Sequence, residues 1–147
     1  MAMSVEEVKS AIEARLGANA ATDADYAARG YHLEVKMRPS QVVSLAEAMK
    51  DAGLYLEDVT AVDWLADNEF EILYHYASFA EPCRVAGRCR IGRDAEKMPS
   101  ISAIYQGANW HERELFDMFG MGFTGHPDLK RLLLPEDADF HPLRKDF

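Results

Sequence analysis

The sequence predicts a small α+β two-layer sandwich followed by a helix and an extended C-terminal arm. Apolar residues recur at helical spacing from residue 5 and again from residue 42, but at strand spacing from residue 31 and from residue 70. Glycine and proline then crowd the chain beyond residue 119 and leave no room for another long regular element. The expected order is helix, strand, helix, three strands, with a mostly antiparallel or mixed sheet covered by helices on one face. Residues 1–97 read as the α+β domain. Residues 98–147 read as a linker, a helix and a partner-binding arm.

Each element has its own signal. Ser4 with Glu7 three residues on makes a capping box. Val5, Val8, Ile12 and Leu16 then form one apolar stripe, and Gly17 ends it. Residues 18–30, rich in Ala, Asp and Gly, are expected to be a connecting loop. From there Tyr31, Leu33, Val35 and Met37 face one way, with His32, Glu34, Lys36 and Arg38 opposite. Pro39 and Ser40 open a second helix that buries Val42, Leu45, Ala46 and Met49 and stops at Gly53. Residues 54–64 are extended, and Asn68 turns the chain into a strand. There Phe70, Ile72, Tyr74 and Tyr76 oppose Glu69, Glu71 and His75.

After the break at Pro82, Arg84, Arg88 and Arg90 alternate with Val85, Cys89 and Ile91. An acidic strand face beside a basic one predicts cross-strand ion pairs in preference to an anion site. Residues 98–107 read as a linker. Asn109 is expected to cap a third helix, with Glu112 completing an Asn-x-x-Glu box. Leu115, Met118 and Phe119 are its apolar ridge, and Gly120 its stop. Beyond it the tail should be extended, with a single turn over 127–134.

Composition excludes several classes. The 147 residues carry a net charge of −9 with the acids spread along the chain, which leaves no nucleic-acid footprint. Glu6 and Glu7 stand where a signal peptide would need positive charge. No stretch approaches the roughly 20 apolar residues of a membrane span. The expected setting is the cytoplasm, with the membrane reached only through a partner. Cys83 and Cys89 on one strand would lie ~20 Å apart, too far to bridge. Two thiolates are also too few for an iron–sulfur cluster. Both cysteines read as small strand residues in a reducing compartment.

No catalytic constellation stands up. His111 and Glu112 open the zinc-protease pattern H-E-x-x-H, but residue 115 is Leu. Residues 120–125 spell G-x-G-x-x-G, yet a helix precedes them and His126-Pro127 follows. A dinucleotide site needs strand, loop and helix in that order, so that N–H groups point at the phosphates. Glu112, Glu114 and Asp117 could form an acid–base set. They read better as ion-pairing residues at a packed junction, with Arg113 reaching Asp117 at i,i+4. His126 and His141 each precede proline and bring no further metal ligands. Apolar anchors with Arg131, Arg144 and Lys145 on extended backbone suit an arm laid across a larger protein.

That tail resembles the signature of the thirty-kilodalton subunit family of respiratory NADH:quinone oxidoreductase, also called complex I. Trp110, Glu112, Arg113, Glu114, Asp117, Phe119 and Gly120 fall on its first block. Gly125, His126, Pro127, Asp128, Leu129 and Arg131 to Pro135 fall on its second. His141, Pro142, Leu143, Arg144, Lys145, Asp146 and Phe147 fall on its third. Lys130 departs from the family's usual Arg, Met121 from Ile, and Ala138 and Phe140 from a Trp and a Gly.

The resemblance implies a subunit of the hydrophilic arm without catalytic site, cofactor or metal of its own. Its C-terminal arm would dock on the large quinone-module subunit, beside iron–sulfur subunits. Iron–sulfur clusters, flavin, quinone or nickel–iron would belong to those partners. Related subunits of membrane-bound, energy-converting nickel–iron hydrogenases imply the same role in another machine. An isolated chain would then have a mobile or self-associating tail. The competing class is an independent small enzyme, which predicts an enclosed pocket around Glu114 and Asp117.

Overall fold

A computed structural model describes residues 3–79, 81–93, 97–135 and 137–145. Helix α1 (Val5–Leu16) begins at the predicted capping box: Ser4 Oγ accepts the Glu7 N–H at 3.2 Å, and the Glu7 carboxylate accepts the Ser4 N–H at 3.1 Å. Its stripe turns Val8 and Ile12 fully inward. Two short elements come next, β1 (Ala21–Asp23) and α2 (Tyr26–Arg29).

Strand β2 (Leu33–Met37) leads through a 3₁₀ turn into α3 (Val42–Asp51). Strands β3 (Tyr55–Trp64), β4 (Glu69–Ala77) and β5 (Arg84–Gly92) follow as an antiparallel meander. Asn68 supplies the left-handed residue (φ 55°) at the β3–β4 corner, a conformation Asn tolerates better than most. β2 joins the far edge of the meander by pairing parallel to β5. The sheet is thus mixed and mostly antiparallel, as expected.

One face of the sheet carries Leu33, Val35, Phe70, Ile72, Tyr74, Tyr76, Val85, Cys89 and Ile91, all 0–1% exposed, beneath the helices. Gly87 admits α3: a Cβ there would stand 2.7 Å from Leu45 Cδ2 and 2.9 Å from Met37 Cε. The other face is a lattice of charges. Arg88 meets Glu34 at 3.5 Å and Glu71 at 3.4 Å, Arg90 meets Asp67 at 3.1 Å and Glu69 at 3.3 Å, and Arg84 meets Glu57 at 3.1 Å. The predicted cross-strand pairing holds. Cys83 and Cys89 are both buried, with no disulfide between them.

Three expectations fail. Residues 18–30 are not one loop, because β1 pairs antiparallel with β2 and α2 fills the connection between them. Elements of three and four residues have no readable period. Asp25 caps α2 by accepting the Ala27 N–H at 3.1 Å. Residues 98–107 are likewise not all linker: β6 (Lys97–Pro99) pairs parallel with β7 (Gly122–Thr124). Finally, α4 (Ala108–Phe119) starts from Gly107, not Asn109, and has no side-chain cap. Met98, Ile101, Leu115, Phe119, Met121 and Phe123 belong to the same apolar cluster as the sheet, so the core is continuous past residue 97.

Candidate functional site

The signature residues sit on α4 and on the irregular chain after it, which folds back over that helix. Glu112 points inward from α4 and is fully buried. One of its oxygens accepts the Ser100 hydroxyl at 2.6 Å and the other accepts the Ile101 N–H at 2.9 Å. The predicted capping box is therefore absent, because the carboxylate instead ties α4 to the turn after β6. Burial pushes the Glu112 carboxyl above its ordinary value, against the opposing pull of Ser100, Ile101 and His126. Asn109 Oδ1 is buried without a hydrogen-bond partner among the described residues.

Asp117 is the hub of the tail and is also fully buried. Its Oδ2 accepts the N–H groups of Leu133 at 2.6 Å and Leu134 at 3.0 Å, with Leu132 farther off at 3.4 Å. Its Oδ1 pairs with Arg131 at 3.0 Å. Burial works to raise this carboxyl, but the backbone donors and Arg131 together outweigh it and hold Asp117 below the usual carboxylate value. Arg131 goes on to donate to the carbonyls of Asp117 and Ala138, both at 2.7 Å, and of Phe140 at 3.0 Å.

The expected i,i+4 pair between Arg113 and Asp117 does not form. Asp117 needs several donors in a buried setting, and the tail supplies them. Arg113 instead reaches the carbonyls of Lys130 at 3.3 Å and Arg131 at 2.9 Å, with its guanidinium over the Trp110 ring.

His126 Nε2 lies 3.2 Å from the Asn109 carbonyl, and its Nδ1 accepts the Asp128 N–H at 3.0 Å. Gly125, Pro127 and Asp128 stand toward the surface beside it. His141 Nδ1 lies 3.0 Å from the Asp117 carbonyl and its ring abuts Gly120, whose φ of 80° and close neighbours require glycine. Pro142 is half-buried. The Leu143 N–H donates to the Met118 carbonyl at 3.1 Å, and Arg144 Nε donates to the Phe119 carbonyl at 2.7 Å. The buried Phe119 ring meets Phe70 edge-on, with centroids 5.6 Å apart. Asp146 lies outside the described residues.

Sequence reasoning missed the seat at the far end of the sheet. Asp63, 2% exposed, pairs with the buried Arg93 at 2.9 Å and accepts the Lys145 N–H at 2.8 Å. A signal was present: Asp63 shares the parity of Val59 and Ala61 on β3, so an acid occupied an inward position.

Glu114 is exposed while Asp117 is closed off by the tail, so these carboxylates do not converge on one cavity. The adjoining hollow of ≈ 560 Å³ is lined by Phe116, Leu129, Arg131 and His141 among others, and by neither acid. Among the described residues no group of His, Cys, Asp and Glu is placed to hold a metal ion. Nor is any helix among them long and apolar enough to cross a membrane. While the carboxylates Glu112 and Asp117 turn inward, large apolar side chains face out: Trp110 is 57% exposed, Leu133 65%, Leu143 53% and Phe140 43%. Such a surface can bind an apolar partner face.

Comparison with known proteins shows the family. The family model for the respiratory-chain NADH dehydrogenase, 30 Kd subunit, matches residues 35–147. An NADH-quinone oxidoreductase subunit of Roseiflexus castenholzii is 43% identical over 119 residues, covering 78% of this chain and 68% of the relative. The equivalent NADH-quinone oxidoreductase subunit of Jannaschia sp. is 44% identical over 120 residues, covering 78% of this chain but only 58% of the relative. Among solved structures, a chain of the membrane-bound sulfane sulfur reductase, an archaeal respiratory membrane complex, superposes with a TM-score of 0.81 at 28% identity. The match covers 97% of this chain and 84% of that one. A trypsin-resistant fragment of Nqo5 superposes with a TM-score of 0.58 at 26% identity, over 70% of this chain and 92% of the fragment.

Proposed function

The chain belongs to the 30-kDa subunit family of respiratory-chain NADH dehydrogenase, and from that premise we propose that it is a docking subunit in the peripheral arm of a complex I-like NADH:quinone oxidoreductase. In this reading the outward side chains around α4 and the tail rest on the large quinone-module subunit, beside its iron–sulfur neighbours. The chain supports assembly and performs no redox step of its own. Flavin, iron–sulfur clusters and quinone are held by partners, and the membrane is reached only through them.

One observation carries the reading. Leu133, Phe140 and Leu143 stand well exposed, while Arg131 and Arg144 of the same segment are engaged within the chain and Asp137 and Asp139 are exposed beside them. Apolar anchors presented on an ordered backbone are what a central interface patch requires.

A second reading is supported by the extent of the structural match to the sulfane sulfur reductase chain. In it the same docking role serves a different membrane-bound redox complex, such as an energy-converting hydrogenase.

Purification of the tagged chain from its own membranes in mild detergent tests both readings. A co-purifying large subunit with flavin-bearing, NADH-oxidising partners supports the first. A large subunit without NADH-oxidising partners supports the second. If Leu133→Asp with Leu143→Asp leaves the partner set unchanged in a folded chain, the docking surface lies elsewhere.

A further inference from the structure

An arm that gains structure only on its partner would leave its amides to water until the partner arrives. Two buried carboxylates of this chain capture those amides instead. Asp117 on α4 receives the N–H groups of Leu133 and Leu134, so that the turn at 132–134 wraps an anion in the manner of a backbone nest. Arg131 fixes the return of the chain by spanning from Asp117 to the Ala138 and Phe140 carbonyls. At the other end Asp63, on β3, receives the N–H of Lys145.

Hydrogen bonds to an ionised carboxylate are about twice as strong as neutral ones, and release of the segment to water would forfeit several of them together. The helix and the sheet therefore each hold the segment from a fixed point. We infer that Asp117 and Asp63 act as two clamps that preform the C-terminal segment on the chain's own domain, so that its apolar side chains are displayed before any partner binds. The kind of partner this fits is a preformed apolar surface that seats rigid knobs, not one that threads an extended peptide. Ordering a free segment at the moment of docking costs backbone entropy, and preformation removes that cost from the binding step. The clamps hold whichever complex the chain joins, and their test needs no partner.

Amide hydrogen exchange on the full chain alone, read residue by residue, decides the matter. The Leu133, Leu134 and Lys145 amides are expected to exchange roughly a hundredfold slower than in an unstructured chain. Asp117→Ala should speed Leu133 and Leu134 by about tenfold or more while leaving the amides of β4 protected. Should that variant lose β4 protection as well, Arg131→Gln gives the same readout with the carboxylate kept. Free exchange of Leu133 and Leu134 in the unaltered chain overturns the inference. So does unchanged protection in a folded Asp117→Ala chain.

Discussion

Replacing Glu112 separates a structural role from a docking role, because the side chain is fully buried and its two bonds are both internal. Glu112→Ala deletes the acceptor of a buried amide, Ile101, and an orphaned donor of this kind costs about 1–3 kcal/mol. The missing side-chain atoms leave on the order of 60 Å³, which at about 24 cal/mol per Å³ adds roughly 1.5 kcal/mol. Relief of a desolvated carboxylate returns on the order of 1 kcal/mol. The net loss is about 1.5–3.5 kcal/mol, a sizeable part of the roughly 5–15 kcal/mol that holds a domain together. Glu112→Gln keeps an oxygen for Ile101 and lets the Ser100 hydroxyl turn to accept from the new amide, so its loss should stay under about 1 kcal/mol.

The pH dependence has a defined sign. Burial raises the folded-state carboxyl above its ordinary value of 4.5, so the folded chain holds the proton longer than the unfolded one. Stability due to this group is complete below the unfolded value and is lost as pH rises through the folded value. Glu112→Gln should therefore gain on the unaltered chain as pH rises from about 4.5 toward neutrality. Urea unfolding of the three chains, followed by circular dichroism at several pH values, measures all of this. Equal losses for Ala and Gln would refute the hydrogen-bond reasoning, and so would a Gln variant that loses ground as pH rises.

Three further outcomes are expected. Gly120→Ala places a Cβ 2.9 Å from the His141 ring at a φ of 80°, and should destabilise by about 2 kcal/mol, seen as faster exchange at Leu143 and Lys145. Gly87→Ala drives a Cβ to 2.7 Å from Leu45 and should cost about 1–3 kcal/mol through overpacking, read from the thermal midpoint. Asp117 is held below the ordinary carboxylate value, so its contribution is present above the unfolded value and lost as pH falls through the folded one. Acidification should loosen residues 132–134 before the sheet, and Asp117→Asn should remove that step; simultaneous loss of both in the unaltered chain would contradict it.

The legible parts of this fold are those in which one element's own pattern decides its place. Phe70, Ile72, Tyr74 and Tyr76 oppose Glu69, Glu71 and His75 because β4 has a buried and a polar face, and both faces were readable. β1, α2, β6 and β7 were not, since runs of three or four residues draw their stability from a neighbour elsewhere in the chain. On α4 the Asn-x-x-Glu wording misled. Glu112 stands three and seven residues before Leu115 and Phe119, on the apolar stripe itself, and that spacing marks it as an inward residue. Asp117 offered no such clue. Its partners lie at 131–134, in a segment with no period, and only the folded chain brings them together.

The parallel seam between β2 and β5 also sets an order of assembly during synthesis. β3, β4 and β5 can zip as successive hairpins, each closing a short connection. β2 can pair with β1 at once, but its other edge has to wait for β5, which begins at Arg84, beyond the whole of β3 and β4. Until that strand has left the ribosome, the apolar stripes of α1 and α3 have no complete sheet to cover. At about 5–20 residues per second that interval lasts a few seconds, ample for a chaperone to take hold of the nascent chain. A ribosome stalled before Arg84 would thus display Val8, Ile12, Leu45 and Met49 to the cell as bare adhesive surface.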